Sequence, residues 1–177
     1  MELLYSGLSG SHLYGLARPG SDVDVFRVVS VAPSWHHRRR YAHQKVVDGF
    51  DVTVVDFPTW LDQCRRGHPQ SLEAMFASNP ATDKVSSFRA GYRAEVGAMT
   101  VTYQVVMEGY LHADTVKGRR HALRLGLNLA AAQQHRRFRP ELSGVDREWV
   151  HAAATDVDSM DDVFGMVSAR VGYGMMR

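Results

Sequence analysis

Apolar residues follow two rhythms along this chain. Over the first third they gather in short runs. Leu3, Leu4, Tyr5 and Leu8 predict a first strand over Glu2 to Leu8, poor in polar residues and therefore central in a sheet. Residues 11–16 predict one or two helical turns, and Arg18-Pro19-Gly20 is turn chemistry. Asp22 to Val31 predicts a second strand, ended by Pro33, and Val46 to Asp56 a third.

Beyond that point the rhythm lengthens. Pro58 sits where a first-turn helix proline belongs, and predicts a helix through Trp60, Leu61 and Cys64 to Arg66. Pro69 opens a short helix with Leu72, Met75 and Phe76, and Asn79-Pro80 marks a break. The remainder reads as helical. Phe88 to Tyr110 has workable spacings despite Gly91, Gly97 and Gly109. Lys117 to Arg137 is the strongest pattern, with Leu123, Leu127 and Ala130 or Ala131 as a core-facing stripe. Val145 to Ala153 and Asp156 to Val171 follow as shorter helices, and Gly172 to Arg177 as a frayed tail. Asp156, Asp158, Asp161 and Asp162 read as cap and first-turn charges. The expected organisation is a core over residues 1–80 and a helical region over 81–177 that packs on it and closes a cleft.

Composition narrows the class. The 177 residues suit one domain or a compact core with a helical appendage. No segment approaches the roughly 18 apolar residues of a membrane span, and no export signal is visible at the start. Cys64 is the only cysteine, so no intrachain disulfide can form and a structural zinc site has no ligand set. A cytoplasmic setting is expected. The net charge is only +2, but basic residues cluster at 36–43 and 117–139, which keeps nucleic acid in view.

The chemistry concentrates in Leu8 to Phe26. On a strand, Asp22 and Asp24 share a face while Val23 and Val25 take the other. Two adjacent carboxylates repel unless a cation lies between them. A hard divalent cation with oxygen ligands is the expected occupant, and Mg2+ is the usual one beside phosphates. Gly10-Ser11 supplies the complement, a backbone that can come close to an anion and a hydroxyl that can donate to it. Singly, a Gly-Ser pair or an Asp-x-Asp is most often structural. In this order, after an apolar strand, they point to chemistry on a nucleoside triphosphate.

These residues carry a resemblance. Gly10-Ser11, Tyr14-Gly15 and Ser21-Asp22-Val23-Asp24 resemble the signature of the DNA polymerase beta-type nucleotidyltransferases. More narrowly, they are similar to the small nucleotidyltransferases of the RNA repair pathway DNA polymerase beta family. The implied fold is α+β: a small mixed sheet flanked by helices, with a C-terminal helical region. The implied reaction moves a nucleoside monophosphate from a triphosphate, ATP first, to an acceptor hydroxyl such as an RNA end. The implied cofactor is two Mg2+ ions, with Mn2+ as a substitute.

The third acid is read from parity and from the resemblance. Phe50 and Val52 flank Asp51 and would face the helix layer, leaving Asp51 on the opposite, polar face. Asp48 and Asp56 lie at strand ends, where acids are solvated or capping. The superfamily carries a carboxylate in such an apolar-Asp-apolar setting, so the resemblance implies that Asp51 completes a metal-binding triad with Asp22 and Asp24 and helps activate the acceptor hydroxyl. It also implies a counterpart for Glu73, with no chemistry beyond a structural or substrate contact.

Lys117, His121 and Arg124 recur at i, i+4 and i+7. They are either a solvated basic flank or a cleft face that neutralises the triphosphate beside Gly10 and Ser11, and a similar pattern in the resembled family favours the second. Ser34 to Lys45 is equally open: a solvated loop, or one whose Arg38, Arg39 and Arg40 touch nucleic-acid phosphates while Trp35 or Tyr41 stacks on a base. Competing functions are AMP transfer to a protein partner, as in antitoxins of this superfamily, and an inactive nucleotide- or RNA-binding module. Transfer to a cationic small molecule lacks an acidic cluster, and templated DNA synthesis lacks room.

Overall fold

A computed structural model describes residues 2–30 and 42–172 of the chain. Among them, four strands form one mixed sheet and eight helices surround it. The strands are β1 (Leu3–Ser9), β2 (Asp24–Val29), β3 (Ala42–Val47) and β4 (Phe50–Asp56), in the order β1-β2-β4-β3. β2 runs antiparallel to β1 and parallel to β4, and β3 closes the edge antiparallel to β4. The fold is α+β, as the resemblance implies, but β1 lies at an edge of the sheet and not at its centre as its apolar run suggested.

The stretch read as one strand, Val46 to Asp56, is a hairpin. Asp48 and Gly49 both take positive φ, 52° and 82°, the backbone that a two-residue turn between twisted strands requires. The Asp-Gly pair was the available signal. Consequently part of the segment read as a loop, residues 42–45, is strand β3. Its remaining basic and aromatic candidates, Trp35, Arg38, Arg39, Arg40 and Tyr41, lie outside the described residues.

The helices are α1 (Gly10–Tyr14), α2 (Phe57–Arg65), α3 (Pro69–Phe76), α4 (Asp83–Gly91), α5 (Val96–His112), α6 (Val116–His135), α7 (Gly144–Ala153) and α8 (Met160–Val171). The region read as one helix from Phe88 to Tyr110 is two, broken between Gly91 and Val96. Asp56 caps α2, its Oδ1 accepting from the Thr59 amide at 2.7 Å. In the last helix the cap is Ser159, in a reciprocal capping box with Asp162, rather than Asp156 or Asp158.

Burial divides the sheet into two unequal faces. Phe26, Val28 and Val55 join the main core with Trp60, Leu72, Met75, Met99, Tyr103, Leu123 and Leu129. Val29, Val52 and Val54 form a small separate cluster on the other face. Asp51 therefore does not lie on the face that its apolar neighbours Phe50 and Val52 predict. Val55, not Val52, faces the helices, so Asp51 lies on the helix-facing side of the sheet. Both faces of these central strands are apolar, and a period of two cannot say which one the helices cover. α5 and α6 pack along each other, and α8 packs against both. No helix among the described residues is long and apolar enough to cross a membrane.

Candidate active site

The sheet register brings the acids together. Asp24 and Asp51 are direct partners across the parallel β2–β4 pair, and the Asp51 amide donates to the Val23 carbonyl at 3.1 Å. Side chains in register on neighbouring strands project to the same face. Asp24 continues the row of Phe26 and Val28, and Asp51 that of Thr53 and Val55. Both carboxylates thus emerge on the helix side at the starts of their strands.

Asp22 is placed differently from the expectation. β2 begins at Asp24, so Asp22 belongs to the preceding connector and is exposed. It still acts on Asp24 electrostatically. Burial, then the charges of Asp51 and Asp22, raise the Asp24 carboxyl above its ordinary pKa, and Lys117 and His12 pull weakly the other way. Two like charges acting on Asp24 are an arrangement a cation would relieve. Among the described residues, however, no three His, Cys, Asp or Glu side chains are gathered closely enough to close around one ion. The donors fit Mg2+ in the manner of a hard ion held by one or two carboxylates, with substrate phosphates completing its shell. Gln44 Nε2 donates to Asp51 Oδ2 at 2.7 Å and fixes one orientation of that carboxylate.

Gly10 follows β1 with φ +60°, and a Cβ built on it collides with the Asp24 carboxylate. Glycine is required there on both counts. Gly10→Ala is therefore expected to push Asp24 out of line. Such a misplacement costs about 10²-fold in turnover, alongside a stability loss of about 1–2 kcal/mol for the left-handed alanine. Steady-state rates compared with urea unfolding would separate the two effects.

A cleft of about 430 Å3 opens over this end of the sheet. Gly10, Ser11, Asp22, Asp24, Lys117, His121 and Arg124 all line it, so seven of the eight residues singled out from the sequence share one hollow, with Asp51 beside Asp24 on the next strand. The opening turns of α6 form one wall, placing the positive end of that helix at the cleft. Thr115 caps the helix, accepting from the Gly118 amide at 3.0 Å.

The three basic candidates separate into different roles. Lys117 has no ion-pair partner among the described residues and stands free to meet an anion. Arg124 is 2% exposed and ion-paired with Glu73, itself 1% exposed. Its guanidinium lies 3.5 Å over the Tyr14 ring, and the Tyr14 hydroxyl donates to Glu73 Oε2 at 2.6 Å. Burial alone would make Arg124 less basic, but the Glu73 carboxylate, its hydrogen bond and the neighbouring Tyr14 and Tyr103 together outweigh it and keep the group charged. Arg124 is thus the pin of a buried network joining α1, α3 and α6, with its charge met by Glu73 where it lines the cleft. The sequence did carry a hint. Arg124 sits between Leu123 and Leu125, both buried, where an arginine needs a partner. Nothing local marked Tyr14 as its platform.

His121, by contrast, is held toward its neutral form. It stacks on Tyr110, with centroids 4.9 Å apart, and meets Tyr14 edge-on at 6.1 Å. Burial, then the charges of Arg124, Lys117 and Arg120, push its pKa down to about 3 from 6.5. The unfolded chain binds this proton below pH 6.5 and the folded chain does not, so its contribution is complete above pH 6.5 and is lost progressively as pH falls toward 3. Wild type is expected to lose up to about 3 kcal/mol between pH 7 and 4 through this group, at 1.36 kcal/mol per unit. His121→Gln should show a shallower acid loss in urea midpoints.

A comparison with curated proteins finds no match. The sequence pattern of one family does match, over residues 1–145, a span that contains β1, the Asp24–Asp51 pair and the whole of α6. With that span covered, the chain belongs to the RNA repair pathway DNA polymerase beta family.

Proposed function

We propose that this protein transfers a nucleoside monophosphate from a nucleoside triphosphate to an acceptor hydroxyl, with release of pyrophosphate. One observation carries the reading: Asp24 and Asp51 stand in register on parallel strands beside Gly10 and Ser11, at a cleft whose far wall presents Lys117. Carboxylates and anion donors facing one another suit a polyphosphate bridged by cations.

Asp24 and Asp51, with Asp22 at the rim, would hold Mg2+, as two ions in the full complement or Mn2+ in its place. Bound there, the metal would supply Lewis acidity and lower the pKa of the attacking hydroxyl. The chain's own groups do the rest. The Ser11 hydroxyl donates to phosphate oxygens, and Lys117 offsets their charge as a point cation. Asp51 orients the acceptor hydroxyl and takes its proton. The acceptor oxygen bonds to the α-phosphorus as the bond to the α–β bridging oxygen breaks, and pyrophosphate carries that electron pair away. The Tyr14–Glu73–Arg124 network holds α1 and α6 in position without touching the reacting atoms. In this reading residues 1–80 carry the transfer chemistry and the later helices close the cleft.

The family name favours RNA as acceptor. The test offers α-phosphate-labelled ATP, GTP, CTP or UTP with Mg2+ to RNA ends of defined chemistry and, separately, to protein extracts. Label on RNA with stoichiometric pyrophosphate supports the proposal. Label on protein moves the acceptor, and nucleotide binding without any transfer would reduce the site to a binding module.

A further inference from the structure

On the side away from Asp24, Asp51 is flanked by β3, an outermost strand of the sheet. The Asp48-Gly49 turn sets the register of that strand, with Val46 opposite Asp51 and Gln44 opposite Thr53. Gln44 and Asp51 are therefore diagonal neighbours on one face, a separation that a long side chain spans. The Gln44 amide spans it, and its Nε2 donates to Asp51 Oδ2 at 2.7 Å. This bond reaches the site from a strand that supplies none of the residues lining the cleft.

Asp51 needs such a hold. The last torsion of an aspartate is broad, so its rotamer alone does not aim the two oxygens. Its partner across the parallel pair is another carboxylate, Asp24, and the two charges repel. With no cation between them, an unheld Asp51 would turn its oxygens away toward water. Among the described residues, Gln44 is the one side chain that hydrogen-bonds this carboxylate.

The kind of donor matters as much as its place. A lysine or arginine at this position would form an ion pair with Asp51 and compete with a metal for it. A neutral amide fixes one oxygen and leaves the negative charge uncancelled. Outer partners of this kind orient metal-binding carboxylates, and losing one costs about 10–100-fold in metal affinity or activity. We infer that Gln44 is a positioning residue for the transfer: it holds Asp51 Oδ2 to the edge strand and so leaves Oδ1 for the divalent ion and the acceptor hydroxyl. This rests on the transfer reaction proposed above. It makes β3 a working part of the site, and gives the register set by Asp48-Gly49 a consequence for turnover.

The test uses the full chain and two variants. Gln44→Met keeps the length and loses the donor, while Gln44→Asn keeps the amide and falls one methylene short. Binding of Mn2+ alone is followed by titration calorimetry, and transfer by steady-state kinetics. Both variants should bind Mn2+ and turn over about tenfold less well, or worse, with the KM for the nucleotide little changed. Their urea midpoints should match wild type, because Gln44 is exposed. Added to Asp51→Ala, Gln44→Met should cost nothing further, since the carboxylate it serves is gone. If Gln44→Met binds Mn2+ and turns over like wild type, or repeats its full loss on top of Asp51→Ala, the positioning role falls and the transfer reaction stands without it. A drop in urea midpoint that accounts for the lost rate would make Gln44 a structural part of β3 and overturn the inference. If Gln44→Met weakens Mn2+ binding but wild type transfers nothing, the hold on Asp51 stands at a metal site and the transfer reaction falls.

Discussion

Asp24→Asn and Asp51→Asn should each lower nucleotidyl transfer by about 10³-fold, the scale of removing one preorganised electrostatic group from a polar transition state. The melting temperature should stay level or rise. Asp24 is half-buried, and its pKa is raised by burial and by two neighbouring carboxylates. Without a cation the folded protein therefore gains by neutralising it. A substitution that destroys activity while relieving strain is the mark of a functional group. Added Mg2+ should stabilise wild type against heat and leave Asp24→Asn almost unmoved, since a ligand that binds only the native state raises its stability. Transfer that survives in both variants, or a melting temperature that collapses in either, would show the pair to be structural.

The second large effect falls on the buried network. Glu73→Gln leaves the Arg124 guanidinium charged, 2% exposed and without its anion. Breaking such a pair from one side costs about 3–5 kcal/mol, a large share of the roughly 5–15 kcal/mol that holds a domain folded. Removing both ends, in Glu73→Gln with Arg124→Met, should recover much of that loss, because the penalty comes from the orphaned charge. Tyr14→Phe should cost about 1–3 kcal/mol, since the hydroxyl that donates to Glu73 disappears. Denaturant unfolding of the single and double variants measures the coupling directly. A network that merely filled space would show additive losses.

The sequence made much of this molecule legible because its strongest signals are local. Pro58 and Pro69 marked the openings of α2 and α3, and the alternation in β2 and the long apolar stripe of α6 follow from side-chain geometry within one element. Gly10-Ser11 and Asp24 stood out because glycine freedom and paired carboxylates are costly unless used. Where a local signal was passed over, at Asp48-Gly49, one strand was read where there are two. The break between α4 and α5 had only scattered glycines to announce it.

By itself, then, the chain determined its elements, its α+β class, and the residue types brought to an anion and a cation. Tertiary structure alone decided which of them meet. Asp51 faces Asp24 because β2 and β4 pair in parallel register. Arg124 is neutralised by Glu73, 51 positions away, and Arg120 is not neutralised by any described residue. A side chain's periodicity is fixed within its own helix or strand, but its charge balance is set by whatever packs against it from elsewhere in the chain.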